Sequence, residues 1–193
     1  MIRLERTLAQ LAKDLREFEL PWALVGGLAV SIRAEPRTTR DLDVAIAAGS
    51  DREAEQIVSR FTARGYAIAT ILEQEAVDRL ATVRLLTPCD EPGEIVADLL
   101  FFSSGVEAEI VAGAEILEAL PGLRIPVARL ADLLALKVLA GRPKDLADIE
   151  SLLEYAVADD LIRARETLGL IHTRGCSRKK DLMAQFEELV ESR

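Results

Sequence analysis

The periodicity of the sequence changes once, near residue 129, and this change limits how the chain can fold. Before it, short apolar segments typical of β-strands alternate with amphipathic helical stretches, and after it only helical stretches follow. Strands kept in one part of a chain, with helices added behind them, indicate an α+β protein. We therefore expect one domain over 1–193, with a mixed β-sheet and flanking helices over about 1–127 and a helical C-terminal subdomain over about 129–193.

The individual elements follow from apolar spacing and from the positions of glycine and proline. Helices are expected at 2–19, 28–34, 52–63, 129–140, 144–157, 159–168 and 178–191. Strands are expected at 22–25, 41–46, 66–72, 79–87 and 94–102, the last two forming a hairpin through the turn at 88–93. The pattern of 106–127 is mixed, and we expect short strands near 107–111 and 123–127 around a helical turn at 113–119.

Composition excludes several classes of protein. Half of the 193 residues are hydrophobic and 30% are charged, which is a globular composition. One histidine, His172, and two cysteines, Cys89 and Cys176, are too few for a structural zinc site or a disulfide framework, so a reducing cytoplasmic location is expected. The N-terminus lacks the apolar core of a signal peptide, and the longest uncharged run, 20–32, is too short to span a membrane.

The net charge of −9 is concentrated in one segment. Eight acidic residues and no basic one lie between Arg84 and Arg124. Extended nucleic-acid-binding faces need clustered Lys and Arg, so we expect no such face. The cluster Arg174, Arg178, Lys179 and Lys180 is a small exception that could touch RNA or an acidic partner, although a solvated helix start is the simpler interpretation.

Chemistry is indicated where the first strand ends. This strand stops at Gly26-Gly27 and a helix follows, which leaves free backbone N–H groups that a phosphate can approach closely. Asp41 and Asp43 then alternate on a strand and therefore share one face. Two neighbouring carboxylates repel each other, and a hard cation such as Mg²⁺ or Mn²⁺ relieves that repulsion. This combination suits transfer of a phosphoryl or nucleotidyl group.

A third carboxylate, Asp98, lies within the otherwise apolar segment 95–102. A charge there is costly unless it is paired or bound to a metal, so Asp98 is a candidate partner of Asp41 and Asp43 across the sheet.

Each of these features also has a purely structural interpretation. Gly26-Gly27 could form an ordinary turn, and the Asp41–Asp43 pair could be the solvent face of an edge strand. Asp98 could be salt-bridged or exposed, and a lone helical lysine such as Lys137 usually extends to water. Lys144-Asp145 could simply cap a helix.

Taken together, the ordered motifs resemble the polymerase-β-like nucleotidyltransferase superfamily. The strings that carry the resemblance are Ala23–Val30, Glu35–Asp43, Ala135-Leu-Lys137 and Arg142–Asp148, which are similar to the toxin-type (AbiEii/AbiGii-like) branch of abortive-infection and type IV toxin–antitoxin systems. The resemblance covers roughly 22–150. It implies the nucleotidyltransferase fold and Mg²⁺- or Mn²⁺-dependent transfer of a nucleoside monophosphate from an NTP to a hydroxyl.

The resemblance also implies roles for individual residues. Gly26 and Gly27 would contact the triphosphate, and Asp41, Asp43 and Asp98 would hold the metal. Asp98 would also accept the proton of the attacking hydroxyl, and Lys137 would face the phosphates. Arg40 and Lys144 are expected to help bind the nucleotide, with Arg142, Asp145 and Asp148 placed less securely, and Ser31 stays unassigned.

The acceptor is left open by the sequence. A tRNA end, a protein or a small-molecule antibiotic would fit the superfamily, and an antitoxin partner is plausible for a toxin-type chain. Antibiotic-modifying members often have a histidine where Thr39 or Arg40 stands, which disfavours that acceptor here. A non-catalytic module that binds nucleotide or a partner on the same fold is the alternative from another class.

Overall fold

The computed structural model describes residues 3–74, 77–88 and 95–192. In chain order, its elements are α1 (Arg3–Glu17), β1 (Trp22–Val25), α2 (Gly26–Arg33), β2 (Asp41–Ile46), α3 (Asp51–Thr62), β3 (Ala67–Gln74), β4 (Arg79–Leu86), β5 (Val96–Leu100), α4 (Glu107–Gly113), β6 (Glu115–Leu120), β7 (Leu123–Val127), α5 (Leu130–Ala140), α6 (Pro143–Tyr155), α7 (Ala158–Thr173) and α8 (Leu182–Glu191).

The strands form one mixed sheet of seven in the order β3-β4-β5-β2-β1-β7-β6. β2 lies at its centre, antiparallel to β1 and parallel to β5. The predicted pairing of the strands at 79–87 and 94–102 is confirmed, because β4 and β5 are antiparallel neighbours. Most of their predicted turn, with Cys89, lies outside the described residues. The α+β class expected from the sequence is confirmed.

The segment 107–119 differs from the prediction. The strand expected at 107–111 is helix α4, and the helical turn expected at 113–119 is strand β6. Val106 and Ile110 are both buried at a spacing of four, which suits a helix, and the carboxylate of Glu107 accepts hydrogen bonds from the backbone N–H and hydroxyl of Ser104. β6 is extended because it pairs with β7, a contact that local periodicity does not reveal.

Several helix boundaries and one residue assignment also change, of which three matter most near the site and at the C-terminus. α2 begins at Gly26 and not at 28, α7 continues to Thr173, and α8 begins at Leu182. His172, expected in a loop, therefore lies in the last turn of α7, where it is exposed.

The C-terminal helices share the core of the sheet. A single hydrophobic cluster contains Leu42 and Leu99 of the sheet together with Leu134 of α5 and Phe186 of α8. Helix α5 is apolar around nearly its whole circumference, with nine of its eleven residues buried, as expected of an internal helix. The helical region thus packs directly behind the strands that carry the predicted site. Among the helices described, none is long and apolar enough to cross a membrane.

Candidate active site

The turn from β1 into α2 places Gly26 against Asp43. Val25 pairs with Asp43 across β1 and β2, so the residue that follows Val25 lies beside the carboxylate. Gly26 has a φ of +67°, and a Cβ at this position would overlap the Asp43 carboxylate. Only glycine avoids both the strain and the overlap. Val25 provides no side-chain hydrogen bond to cap α2, so the start of the helix is left for another acceptor.

The three predicted carboxylates lie on two adjacent parallel strands. Asp41 and Asp43 occupy alternate positions of β2, and Asp43 is in register with Asp98 of β5. Residues in register on neighbouring strands face the same side of a sheet, so all three side chains belong to one face. The structure therefore brings together the three acids that the sequence singled out.

Arg84 of β4 neutralises Asp98. Its Nε and Nη2 donate to Asp98 Oδ1 and Oδ2 at 2.8 and 2.7 Å, a bidentate pair between residues that are in register across β4 and β5. These hydrogen bonds raise the pKa of Arg84 further above its usual value. The salt-bridged interpretation of Asp98 is thus observed, although the residue also lines the cavity beside Asp41 and Asp43.

The pKa of Asp43 is raised by its surroundings in the site. Burial, followed by the charges of Asp98 and Asp41, raises its pKa from 3.8 to about 6, while Lys137 and Arg142 oppose the rise. The carboxylates therefore repel one another in the absence of a bound cation.

Arg37 lies over the start of α2. A Cβ at Gly27 would overlap its guanidinium, which donates from Nη2 to Asp148 Oδ2 at 2.9 Å. Ser31 ties the loop to the helix, since its hydroxyl accepts the Arg37 N–H at 3.2 Å and donates to the Gly27 carbonyl at 3.1 Å. Buried Asp148 also binds Lys137 Nζ at 2.7 Å. An arginine is therefore fixed where a phosphate would approach Gly26-Gly27.

Lys137 of α5 is buried between two acids of α6. Its Nζ contacts Asp148 and also donates to Asp145 Oδ1 at 3.1 Å. Asp145 accepts the backbone N–H of Arg142 at 3.0 Å and its side-chain Nε at 2.7 Å. Burial opposes the charge of Asp145, but the hydrogen bonds from Arg142, together with Lys137, lower its pKa. Asp145 thus caps α6, as the alternative interpretation of Lys144-Asp145 predicted, and also holds Lys137.

These groups surround a cavity of about 390 Å³. Gly26, Gly27, Asp41, Asp43, Asp98, Lys137 and Lys144 all line it, so seven of the eight predicted site residues converge. The eighth, Arg40, is exposed and is not among the lining residues. The cavity has a size common for small-molecule sites.

Three arginines that line the cavity were not predicted to do so: Arg37, Arg84 and Arg178, the last of which was assigned to a separate basic cluster. The sequence does contain an indication for Arg84, because it is a charged residue within the apolar strand segment 80–86, just as Asp98 is within its own strand. The sequence contains no such indication for Arg37, because its position depends on Asp148, which lies 111 residues further along the chain.

A divalent cation suits the donors of this face. Asp41 and Asp43 provide hard carboxylate oxygens, and a bound cation would offset both the burial of Asp43 and the repulsion from Asp98 and Asp41, which together raise its pKa. In 3–74, 77–88 and 95–192, no group of three or more His, Cys, Asp or Glu residues has a metal-binding arrangement. Arg84 already binds both oxygens of Asp98, so the fit rests on the Asp41–Asp43 pair, and the third ligand stays a prediction.

A model of one protein family matches most of the chain. The family described as "Nucleotidyl transferase AbiEii toxin, Type IV TA system" matches residues 9–190. Among curated proteins, no significant match is found.

Solved nucleotidyltransferases share the fold. An antigenic nucleotidyltransferase-like protein from Paracoccidioides brasiliensis is 18% identical with a TM-score of 0.54, over 95% of this chain and 92% of that one. A protein from Thermotoga maritima assigned as a nucleotidyltransferase is 17% identical with a TM-score of 0.53, over 81% and 97%. The antibiotic-resistance factor ANT(2'')-Ia is 13% identical with a TM-score of 0.57, over 97% of each chain. At these identities the likeness shows a common fold.

Proposed function

The chain belongs to the AbiEii family of nucleotidyltransferase toxins, and from that premise we propose that it transfers a nucleoside monophosphate from an NTP to an acceptor hydroxyl. The acceptor oxygen would form a bond to the α-phosphorus, the bond from that phosphorus to the bridging oxygen would break, and pyrophosphate would leave. The observation that carries this proposal is the convergence of Gly26-Gly27, Asp41, Asp43 and Asp98 in one cavity.

Asp41 and Asp43 would hold Mg²⁺ or Mn²⁺ next to the nucleotide phosphates. When bound, the cation would offset phosphate charge and polarise the phosphorus. The backbone at Gly26-Gly27 and the guanidinium of Arg37 would bind and orient the phosphates, because both present N–H donors at the start of α2.

Asp98 is the proposed acceptor of the hydroxyl proton. Arg84 donates one hydrogen bond to each of its oxygens, so each oxygen keeps a further lone pair that can accept the hydroxyl proton. Lys137 is held by Asp145 and Asp148, so its proposed role is to place positive charge near Asp43 and the phosphates from a fixed position.

The charges of the residues that line the cavity limit which acceptors it can take. Six basic side chains line the cavity against three acidic ones, and the acidic ones are those assigned to the metal and the proton. The basic six are Arg37, Arg84, Lys137, Arg142, Lys144 and Arg178. Four of the six are paired with Asp98, Asp145 or Asp148, so the charge that disfavours a polycationic antibiotic comes from Lys144 and Arg178. An RNA end, a protein or an uncharged small molecule is compatible with the cavity. We also infer from the family that an antitoxin counteracts the activity and that the enzyme works in the cytoplasm, where NTPs are available.

Label transfer tests the proposal. The protein is incubated with each α-labelled NTP, MgCl₂ and total cell extract, and label is followed into RNA, protein and small molecules. Transfer that needs Mg²⁺ and is lost in Asp41→Ala plus Asp43→Ala is expected. Bound nucleotide without transfer to any fraction would instead indicate the non-catalytic binding module.

A further inference from the structure

The edge strand β3 exposes large apolar side chains that the proposed mechanism does not use. Residues 65–72 contain no charged residue, and within them Ile68 and Ile71 are 46% and 55% exposed. An uncharged apolar strand at the edge of a sheet promotes association with another chain when it stays uncovered. This strand therefore marks a surface that a partner would cover.

A bulge in β3 aligns these two isoleucines. The pairing with β4 shifts by one residue between Ile68 and Thr70, so that Ile68 lies opposite Leu85 and Ile71 lies opposite Val83. Because alternate residues of β4 share a face, the two isoleucines face the same side although they are three positions apart. Val83 and Leu85 are both buried, so the apolar face of β4 continues onto β3, where it is exposed.

Helix α3 lies beside this exposed face. It packs on β4, and together with β3 and β4 it encloses a cavity of about 600 Å³, which we call the α3–β3 groove. The residues of α3 that line the groove form one stripe of the helix, since they recur every three or four positions: Asp51, Glu55, Val58, Ser59 and Thr62. The opposite side of the groove contains Ile68, Ile71 and Val83.

The α3–β3 groove is acidic. Glu55, Glu73 and Asp78 line it and are exposed, and none of them forms an ion pair with another residue in the described ranges. Arg79 also lines it, but its Nε donates to Asp51 Oδ1 at 2.7 Å, and this hydrogen bond lowers the pKa of Asp51. The charge of Arg79 is thus offset, and the groove keeps uncompensated negative charge beside its apolar face.

This charge favours a basic partner over a second copy of the chain. A second copy has a net charge of −9 and would bring the same acids to the groove. Like charges brought together at an interface oppose binding, whereas Lys or Arg side chains would be attracted. The occupant is therefore expected to be a basic segment of another protein.

The shape of the groove favours a helix over an added strand. The pairing of β3 with β4 shifts twice, between Ile68 and Thr70 and between Leu72 and Glu73, and such irregularities make an edge a poor template for another strand. A helix beside α3 would cover the same sheet face in the way that α3 covers β4. Since α3 has 12 residues, a partner helix of similar length would be about 18 Å long.

We propose that the α3–β3 groove binds a basic amphipathic helix of a partner protein. The apolar stripe of that helix would cover Ile68 and Ile71, and its Lys or Arg side chains would pair with Glu55, Glu73 and Asp78. The groove and the active-site cavity share no lining residue, so this binding does not depend on the proposed nucleotide transfer.

A designed peptide provides the probe. It has about 16 residues, with leucine at every third or fourth position and lysine at the others, and it carries fluorescein for anisotropy measurements with the full chain. A second peptide with glutamate in place of each lysine is its control. The lysine peptide is expected to bind at least about tenfold more tightly than the glutamate peptide.

Charge reversal in the groove tests the ionic part of the proposal. Glu55→Lys plus Glu73→Lys should bind the lysine peptide about tenfold more weakly than the wild type, because two attractions become repulsions. The matched control, Glu150→Lys plus Glu154→Lys, makes the same change of net charge at two exposed positions of α6. It should bind within about twofold of the wild type.

A single exposed isoleucine tests the apolar part. Ile71→Thr keeps a β-branched residue in β3 and should weaken binding of the lysine peptide about threefold to fivefold. Ile116→Thr is its control on the other edge strand, β6, where Ile116 is 54% exposed, and it should bind as the wild type does. Because both positions are exposed, neither Tm should change by more than about 2 °C, which separates lost binding from misfolding.

Equal affinity of the groove variants and their controls, or no binding of the lysine peptide to the wild type, would overturn the proposal. Tighter binding of an extended peptide of alternating valine and lysine would assign the groove to an added strand. A dimer in sedimentation that is lost in Ile71→Thr would assign it to a second copy of the chain. Either result would also overturn the assignment to a partner helix.

Discussion

Among single residues, Gly26 combines an unusual backbone conformation with direct contact to the candidate metal ligand Asp43. Its positive φ and the overlap of any Cβ with Asp43 are separate effects, and Gly122 offers a way to separate them. Gly122 has a φ of +78°, and no atom lies within 4 Å of the point that an alanine methyl group would occupy, so alanine there adds strain without a clash.

Gly26→Ala is therefore expected to lower the free energy of unfolding by more than Gly122→Ala, which should cost about 1 kcal/mol or slightly more. It should also abolish Mg²⁺-dependent nucleotide binding, since Asp43 must move. Urea unfolding and calorimetric titration of both variants provide the measurement. Equal effects of the two substitutions on stability and binding would show that Asp43 does not need this glycine.

The raised pKa of Asp43 predicts how stability changes with pH. The folded protein holds the Asp43 proton more tightly than the unfolded chain, so the free energy of unfolding decreases as the pH rises from 3.8 to about 6, and the cost persists above that range.

Asp43→Asn cannot acquire the charge, and in EDTA it should raise the free energy of unfolding at about pH 7.5 by roughly 1–3 kcal/mol. Below the unfolded pKa the same substitution should bring no such gain. Urea unfolding at the two pH values measures the difference. A gain of the same size at both would assign it to packing and not to charge.

At the scale of secondary-structure elements, the link between α2, α5 and α6 is ionic. Asp148 of α6 is 2% exposed and binds both Arg37 and Lys137, so it joins the loop after α2 to α5. Removing one member of a buried ionic network leaves the others without compensation.

Asp148→Asn should accordingly lower the free energy of unfolding by about 3–5 kcal/mol, measured in urea. Glu150→Gln is its control on the same helix, where an exposed glutamate without an ion partner among the described residues should change stability by no more than about 0.5 kcal/mol. Similar losses in both variants would mean that the network contributes nothing beyond surface charge.

The alternation of polar and apolar residues and the positions of glycine were enough to predict β1, β2 and the shared face of Asp41 and Asp43. These features depend only on residues that are neighbours in the sequence. The register that sets Asp98 beside Asp43 and opposite Arg84 is a contact between separate strands, which periodicity cannot specify. The same limit explains β6, which is extended only by virtue of β7. It also explains why Arg37, and not the predicted Arg40, lines the cavity, since a residue of α6 holds it.

At the scale of the whole molecule, the helical region completes the core of the sheet. Helix α5 buries Leu133 and Leu134 fully and packs against α2, α6, α7 and α8. We therefore propose that the division into a core over 1–127 and an extension over 129–193 describes the type of element and not independent folding units.

A chain ending at Ala128 should fail to fold cooperatively, because the apolar surface that α5 covers would be exposed. Circular dichroism during thermal unfolding is the measurement, with the full chain as reference. A sharp unfolding transition in the shortened chain would show that residues 1–128 form a domain by themselves and would contradict a single domain over 1–193.

We propose that one cavity binds a metal–nucleotide complex through Asp41 and Asp43. Calorimetric titration of the protein with each of the four NTPs, in MgCl₂ and in EDTA, measures this binding. We predict binding that weakens at least about tenfold in EDTA and to a similar degree in Asp41→Ala plus Asp43→Ala. The control Arg16→Gln plus Arg52→Gln, which changes two exposed residues outside the cavity lining, should bind as the wild type does. Equal affinity of the Asp41→Ala plus Asp43→Ala protein and the wild type in MgCl₂ would show that these two carboxylates do not hold the metal–nucleotide complex.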